Sequence, residues 1–479
     1  MSGLRWPWIV VLVAVPVAAL ALLPPFGQRL AILVGLYGLL GAGYQLVFGR
    51  LGALNLAQGA LFGVGAYAAA LAAPLVGPLA FAAAVLAAAV VAALAAAPIL
   101  RLQSHYFALA TLALASLVNL AAVHAERLTG GANGLIGFGA ALPRGTALLV
   151  PVWLCLIAVV LAQAHFFAGR RGETARLVRE APLVAATLGV DTRRWRFVAF
   201  VAGGALAGLA GAGSAALSGV VSPETTGFSV MLLCLTSVVL GGARHPMGAV
   251  LGAAIAVCLP EMFRALNGGW LLAYAVATLA VVLWAPQGIA GLIDPPAPVP
   301  PPVLPGELVP ATKGRRLVLT RVSKAFGGVE ALSGVSLSVR QGEIVGLVGA
   351  NGSGKTTLLN VICGLEPADS GAITLDGRHL ERAPAHAIAR AGIARTFQAP
   401  LPGETRGVGI ARALGRGVSF LLLDEPLAGA TPPEKADLVA LLQRLRAAGY
   451  GVMIVDHDTG LLSTVCDRLV ALDRGKVAA

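Results

Sequence analysis

Apolar residues fill the first 293 positions in long blocks rather than in alternating or helical stripes, and polar residues gather between the blocks. Blocks near the length that carries a helix across a bilayer, about 17–25 residues, stand at roughly 8–23, 30–48, 53–73, 79–99, 105–124, 147–167, 197–217, 228–241, 248–266 and 270–285. They predict an all-α, polytopic membrane region with about eight to ten spanning helices, the third and eighth blocks being the weakest. The first block, behind Arg5, also has the outline of a secretory signal. Further blocks follow at once, so a first membrane helix is the better reading. Glycine and alanine crowd the blocks, most densely at 203–211. In lipid, small residues let helices approach where hydrophobicity cannot drive them together.

The longest polar interruption, 168–196, holds Arg170, Arg171, Arg176, Arg179, Arg193, Arg194 and Arg196 against Glu173, Glu180 and Asp191. Such a cluster belongs on the cytoplasmic face. Between Ala175 and Val190, Leu177, Val184 and Leu188 fall near helical spacing, with Pro182 among them. This predicts a short amphipathic helix suited to docking on a cytoplasmic partner. A proline-dense run from Asp294 to Gly306 favours an extended, semi-rigid spacer. The chain therefore divides into a membrane domain at 1–293, a linker at 294–314 and a second domain at 315–479. There the pattern changes to short apolar runs between polar turns, as an α/β domain requires.

Composition sharpens the division. Hydrophobic residues make up 57% of the chain and charged residues 12%, against about 25% charged in ordinary soluble domains. The membrane region has no lysine, and its 15 arginines against 6 acidic residues leave +9; the remainder, with 20 basic and 17 acidic residues, carries +3. The basic excess is thus the positive-inside bias of a membrane protein in contact with lipid. No basic run interleaved with aromatics marks a nucleic-acid partner. The five cysteines are scattered with no C-x-x-C pair, so neither a disulfide framework nor a metal site is expected.

The second domain carries the chemistry. From Gly349 the chain fits G-x-x-x-x-G-K-[ST], between an apolar run at 344–348 and a helix-like run at 358–362. In that strand–loop–helix setting backbone N–H groups cradle phosphates, a lysine reaches the terminal ones, and a hydroxyl holds Mg²⁺. The candidates are Gly349, Asn351, Gly352, Ser353, Gly354, Lys355, Thr356 and Thr357, with Thr356 on the metal. A second apolar run, 420–423, ends in Asp424 and Glu425. Asp424 can orient Mg²⁺, and Glu425 can polarise a water against the γ-phosphate of ATP. A third run, 452–455, leads to Asp456, His457 and Asp458, where His457 can sense the γ-phosphate. Gln398 can link the metal site to a moving subdomain.

With these residues assembled, the second domain resembles the nucleotide-binding subunit of ABC transporters. The subtype it is most similar to is the ATPase of branched-chain amino acid importers, through the run from Ser323 to Gly328. The resemblance makes 349–357 the Walker A loop, Asp424 and Glu425 the Walker B acids, His457 the switch residue, Gln398 the Q-loop glutamine and Phe326 the residue that stacks on adenine. The membrane region resembles the permease subunit of the same importers, through the runs 58–67, 105–113, 128–135, 239–242 and 285–288. It implies a permease–ATPase fusion in the bacterial inner membrane, with 176–190 as coupling helix. It also implies ATP and Mg²⁺ as cofactors, a second permease subunit, a second ATP-binding subunit, an extracytoplasmic substrate-binding protein and a branched-chain or other hydrophobic amino acid as substrate.

The chain departs from the family at one place. A helical subdomain should separate the Q-loop from the signature motif, yet Gln398 runs directly into Ala399–Arg406. Aligned there, Leu401 stands where serine is expected and Glu404 where glutamine is usual, and only Gly403 matches. The expected fold is an α/β P-loop domain lacking most of its helical subdomain. Losing one preorganised donor of the signature's kind costs about 2.7–4 kcal/mol, so ATP binding is expected more firmly than turnover. Two other classes compete: an ATP-binding regulatory membrane subunit without hydrolysis, and an exporter half-transporter. The short loop at 168–196 argues against the exporter, and the membrane region excludes a soluble P-loop enzyme.

Overall fold

The computed structural model describes residues 6–102, 105–138, 142–262, 270–294, 308, 314–397, 406–414 and 417–478. The chain forms two compact units, one of Met1–Glu180 with Arg193–Pro298, the other of Ala181–Thr192 with Val299–Ala479.

The first unit is helical: α1 Trp6–Leu22, α2 Pro25–Tyr44, α3 Gln58–Val76, α4 Ala80–Ile99, α5 His105–His124, a single turn α6 Glu126–Thr129, α7 Leu149–Phe166, α8 Arg170–Glu180, α10 Thr192–Ser218, α11 Phe228–Gly241, α12 Gly248–Met262, α13 Trp270–Trp284 and α14 Gly288–Ile293. Two-residue strands β1 Leu135–Ile136 and β2 Val220–Val221 pair antiparallel. Its helices pack through small residues. On α4, Ala80, Ala84, Ala88, Ala92 and Ala96 recur every fourth position and are buried, while Leu86, Val90 and Leu94 point outward. The alanine stripe faces glycines of α10: a Cβ on Gly208 would lie 2.7 Å from the Ala84 carbonyl oxygen. Gly43 of α2 and Gly203 of α10 approach so closely that a Cβ on either would lie 2.7 Å from the other's carbonyl oxygen. Amides add specificity between helices. Gln58 Nε2 donates to Gly203 O at 2.9 Å, Gln163 Nε2 to Ala42 O at 3.0 Å, and Gln45 Nε2 to Gly242 O at 3.1 Å.

The ten apolar blocks all carry helices: α1, α2, α3, α4, α5, α7, α10, α11, α12 and α13. Among the described residues five stretches are long and apolar enough to cross a membrane: Pro25–Arg50, Gln58–Ile99, His105–His124, Gly145–Phe166 and Thr192–Ser218. Two expected spans, α3 and α4, share the second stretch, joined by a 3-10 turn at Gly77–Leu79. The eighth block forms a 14-residue helix with the expected bounds, ended by Gly242 at φ +116°. The third helix starts at Gln58 rather than 53, since Gly52 turns at φ +69° and Asn55 Oδ1 accepts from the Ala57 N–H just before it. Arg176–Val190 is likewise not one helix. Ala181 is non-helical and Pro182 opens a second helix, α9 Pro182–Thr187, because proline fits the first turn but not the interior.

In the second unit, β5 Ile344–Val348, β8 Ile393–Arg395, β9 Phe420–Asp424, β10 Gly451–Val455, β11 Arg468–Asp473 and β12 Lys476–Val477 form a sheet in the order β12-β11-β5-β10-β9-β8. All its neighbours are parallel except β11 and β12. The strands β5, β9 and β10 are near-continuous apolar runs because helices cover both faces. Phe420 and Leu422 enter one core with Val345, Leu347 and Leu359, and Leu421 and Leu423 enter another with Leu442 and Leu445. A second, antiparallel sheet runs β4-β3-β6-β7, from β3 Arg316–Phe326, β4 Val329–Arg340, β6 Ser370–Leu375 and β7 Arg378–His379. The helices are α15 Lys355–Ile362, α16 Ala385–Ala391, α17 Arg406–Ala413, α18 Pro432–Ala447 and α19 Thr459–Val465. Residues Ala181–Thr192, which lie in sequence between α8 and α10, belong to this unit and pack on α16. There His386 Nε2 lies 3.6 Å from Asp191 Oδ2, and Arg390 Nε donates to Gly189 O at 3.1 Å.

Candidate functional site

The parallel sheet brings three sequence-distant segments to one edge. Val455 pairs with Leu347 on one side and with Asp424 on the other. The carboxyl ends of β5, β10 and β9 are therefore level, and the residues that follow them, Gly349–Gly354, Asp456–His457 and Asp424–Glu425, sit side by side. Open α/β sheets bind ligands outside the carboxyl ends of their strands.

After β5 the chain turns through Gly349 at φ +154°, Gly352 at φ +79° and Gly354 at φ +103°, then enters α15 at Lys355. A Cβ at Gly349 or Gly354 would run into the carbonyl of Leu472 or Ala331, whereas Gly352 borders open space. Lys355 is 6% exposed, and its Nζ donates to Gly349 O at 2.7 Å and Ala350 O at 2.8 Å. Ser353 is buried, Asn351 and Thr356 are exposed and Thr357 is half-buried. A loop of this shape, leading into a helix N-terminus, fits the phosphates of a nucleotide. The exposed Thr356 hydroxyl and the Asp424 carboxylate are hard oxygen donors. Among the described residues no group of three or more His, Cys, Asp or Glu could hold a metal. A hydroxyl and one carboxylate sharing the ion with substrate phosphates is the donor set that suits Mg²⁺. Phe326, at the end of β3, is 44% exposed, with Lys324 Nζ 5.2 Å from the ring centroid.

Glu425 stands at φ +47°, unusual for a residue with a side chain, and its N–H donates to Val455 O at 2.8 Å. Strain of that kind persists where surrounding structure imposes it. The turn aims its carboxylate at His457, whose Nε2 lies 3.0 Å from Glu425 Oε1. The structure thus brings two of the three expected catalytic residues into contact. The third, Gln398, lies outside the described residues, as does the run 399–405. Two residues that sequence reasoning gave no role hold this arrangement. Asp456, 5% exposed, accepts from the N–H groups of Leu427 and His457, both at 2.8 Å, so it ties the loop after Glu425 to the end of β10. Arg395 pairs with Asp424 at 2.7 Å. The one signal for either was a charge set at the end of an otherwise apolar run.

A family model described as "Branched-chain amino acid transport system / permease component" matches residues 28–285, more than half of the chain. The chain belongs to that permease family. A second model, for ABC transporters, matches residues 332–402. The fused ATPase is 32% identical over 214 residues to the lipopolysaccharide export system ATP-binding protein LptB of Escherichia coli (strain K12), covering 34% of this chain and 89% of LptB. It is 30% identical over 214 residues to the ribose import ATP-binding protein RbsA of Burkholderia mallei, covering 33% of this chain and 42% of that one. A nucleotide-free ATP-binding cassette crystal structure covers 34% of the chain at 25% identity with a TM-score of 0.33. The protein is a multi-pass membrane permease fused to an ABC ATPase that binds nucleotide. Because relatives of the ATPase serve export and import alike, any statement about cargo must come from the permease half.

Proposed function

We propose that this chain is one half of an importer, in a bacterial inner membrane, that takes up branched-chain or other hydrophobic amino acids at the expense of ATP. The observation that carries the reading is the fusion itself: a branched-chain-type permease match over 28–285 and a phosphate loop at 349–357 in one polypeptide. The buried polar side chains between the described membrane helices are mainly amides and hydroxyls, and the arginines of the spans, such as Arg50 and Arg196, stand near the span ends, which suits an uncharged side chain more than a charged one.

With ATP bound, Mg²⁺ held by Thr356 and Asp424 would supply positive charge against the phosphates. The chain's own residues do the rest. Loop amides at 349–354 and Lys355 hold the phosphates, Thr356 and Asp424 orient the metal, and Glu425 accepts a proton from the attacking water while His457 fixes its carboxylate. Phe326 offers a face to adenine. The chain supplies one permease and one ATPase, so a second of each and an extracytoplasmic binding protein complete the assembly. The docking of Ala181–Thr192 on α16 supports the role of this loop as the coupling segment.

A second feature bears on turnover. The match to LptB spans 214 positions but draws on 34% of a 479-residue chain, about 163 residues, leaving about fifty of LptB's positions without a counterpart. Together with the abrupt passage from Gln398 to Arg406, this supports an ATPase short of its helical subdomain and signature motif. Such a domain can bind ATP on its own loop and needs a sister ATPase to complete the opposing side. The test is uptake of labelled leucine into proteoliposomes holding the chain, its partner subunits and the binding protein. Uptake should require ATP and vanish with Lys355→Ala. Undiminished uptake by that variant would remove the motor role.

A further inference from the structure

We propose that Arg395 is a positioning residue that fixes the Asp424 carboxylate for the metal of bound nucleotide. This rests on the reading of Asp424 as the metal-orienting acid. Arg395 ends β8, the strand that pairs with β9 in parallel, and its side chain reaches across the sheet edge rather than out to solvent. Its Nη2 donates to Asp424 Oδ2 at 2.7 Å, in a pair whose side chains are only 2% and 7% exposed. Its Nη1 donates to Asn360 Oδ1 on α15 and lies 3.5 Å from Cys363 Sγ. The guanidinium sits 5.0 Å from the Phe397 ring centroid. One planar group thus joins three parts of the site: the acid that ends β9, the helix that opens with Lys355, and the strand that leads into Thr396 and Phe397.

Two features say that the acid, and not the arginine's own comfort, sets this position. The Nε of Arg395 is buried and makes no hydrogen bond to a protein group, so the guanidinium is held through Nη1 and Nη2, toward Asn360 and Asp424. The contact to Asp424 also uses one carboxylate oxygen only, leaving the other for a metal-bound water. Arginine suits the task because its rigid fork can hold a carboxylate and an amide at once, which a lysine ammonium cannot do in a fixed plane. Outer partners of metal-orienting groups act on metal affinity through geometry.

The test uses the purified full chain and a fluorescent ATP analogue, mant-ATP, titrated once with EDTA and once with Mg²⁺. The quantity read is the gain in affinity that Mg²⁺ brings. Arg395→Gln should lower that gain about tenfold or more, while the affinity in EDTA stays within about twofold because the phosphate loop is untouched. Arg395→Lys should recover part of the gain. Asn360→Ala, which removes only the second tether, should lower it about threefold and serves if Arg395→Gln does not fold. Asp424→Asn tests the underlying reading separately. If Asp424→Asn abolishes the gain and both Arg395→Gln and Asn360→Ala keep it in full, the positioning role is overturned while the metal-orienting reading stands. If Asp424→Asn itself keeps the gain, that reading fails, and this one with it.

Discussion

Glycine does opposite work in the two halves of this molecule. In the membrane unit Gly43, Gly203 and Gly208 sit inside helices and matter for the side chain they lack, since each lets a neighbouring backbone come within van der Waals contact. In the ATPase unit Gly352 and Gly354 matter for the φ they permit, at +79° and +103°, which turns the loop into a cradle. The difference follows from the solvent. Between membrane helices there is no gain from hiding apolar surface, so attraction must come from close contact and a few amide hydrogen bonds. In the ATPase, burial drives the packing and large side chains such as Phe420 fill two cores. Glycine is then free for special backbone shapes.

Large-to-small changes should hurt the ATPase most. Phe420→Ala, at a side chain 1% exposed, should cost about 3–5 kcal/mol. Urea unfolding followed by circular dichroism should show it. Tryptophan fluorescence should not move, because all six tryptophans lie within residues 1–293. The reverse change should hurt the membrane unit: Gly203→Val, which would meet the Gly43 carbonyl oxygen at 2.7 Å, should cost about 1–3 kcal/mol, read by the same tryptophans in detergent. Leu117→Ala, on a face 63% exposed, should stay within about 0.5 kcal/mol, although an equally apolar leucine inside the ATPase would not. A large loss there would mean that α5 buries this face and that the contrast between the halves is drawn wrongly.

The smallest effect is an acid one. Lys435 donates to Asp458 at 2.9 Å and holds its carboxyl below the ordinary carboxylate range, with the Leu461 N–H adding to the effect. A depressed value contributes stability above the unfolded carboxyl's pKa, lost as pH falls through the folded one. Asp458→Asn should therefore flatten the acid-induced loss of hydrogen-exchange protection at α19. Wild-type acid sensitivity in that variant would show that the Asp458 carboxylate does not matter.

Much of this was legible in the sequence, for reasons that differ by region. Apolar blocks announced the helices, because a bilayer permits little else. They set the third helix too early, because hydropathy does not see Gly52 turn at φ +69° before the helix begins at Gln58. The phosphate loop, Asp424, Glu425 and His457 were legible because short strands ending in acids or glycine leave few other folds. Arg395, Asn360 and Asp456 were not, since their meaning lies in contacts across strands: Arg395 is 29 positions from Asp424 in the chain yet 2.7 Å away in space. Pro182 was read as an interruption, and it proved to be the start of a second helix.

Saturation binding of Mg²⁺–ATP to the purified full-length chain tests the central claim most directly. Wild type should bind one nucleotide per chain saturably, and Lys355→Ala should lose that binding while the tryptophan signal of the membrane unit is unchanged. A wild-type chain that folds yet shows no saturable nucleotide binding would contradict the account.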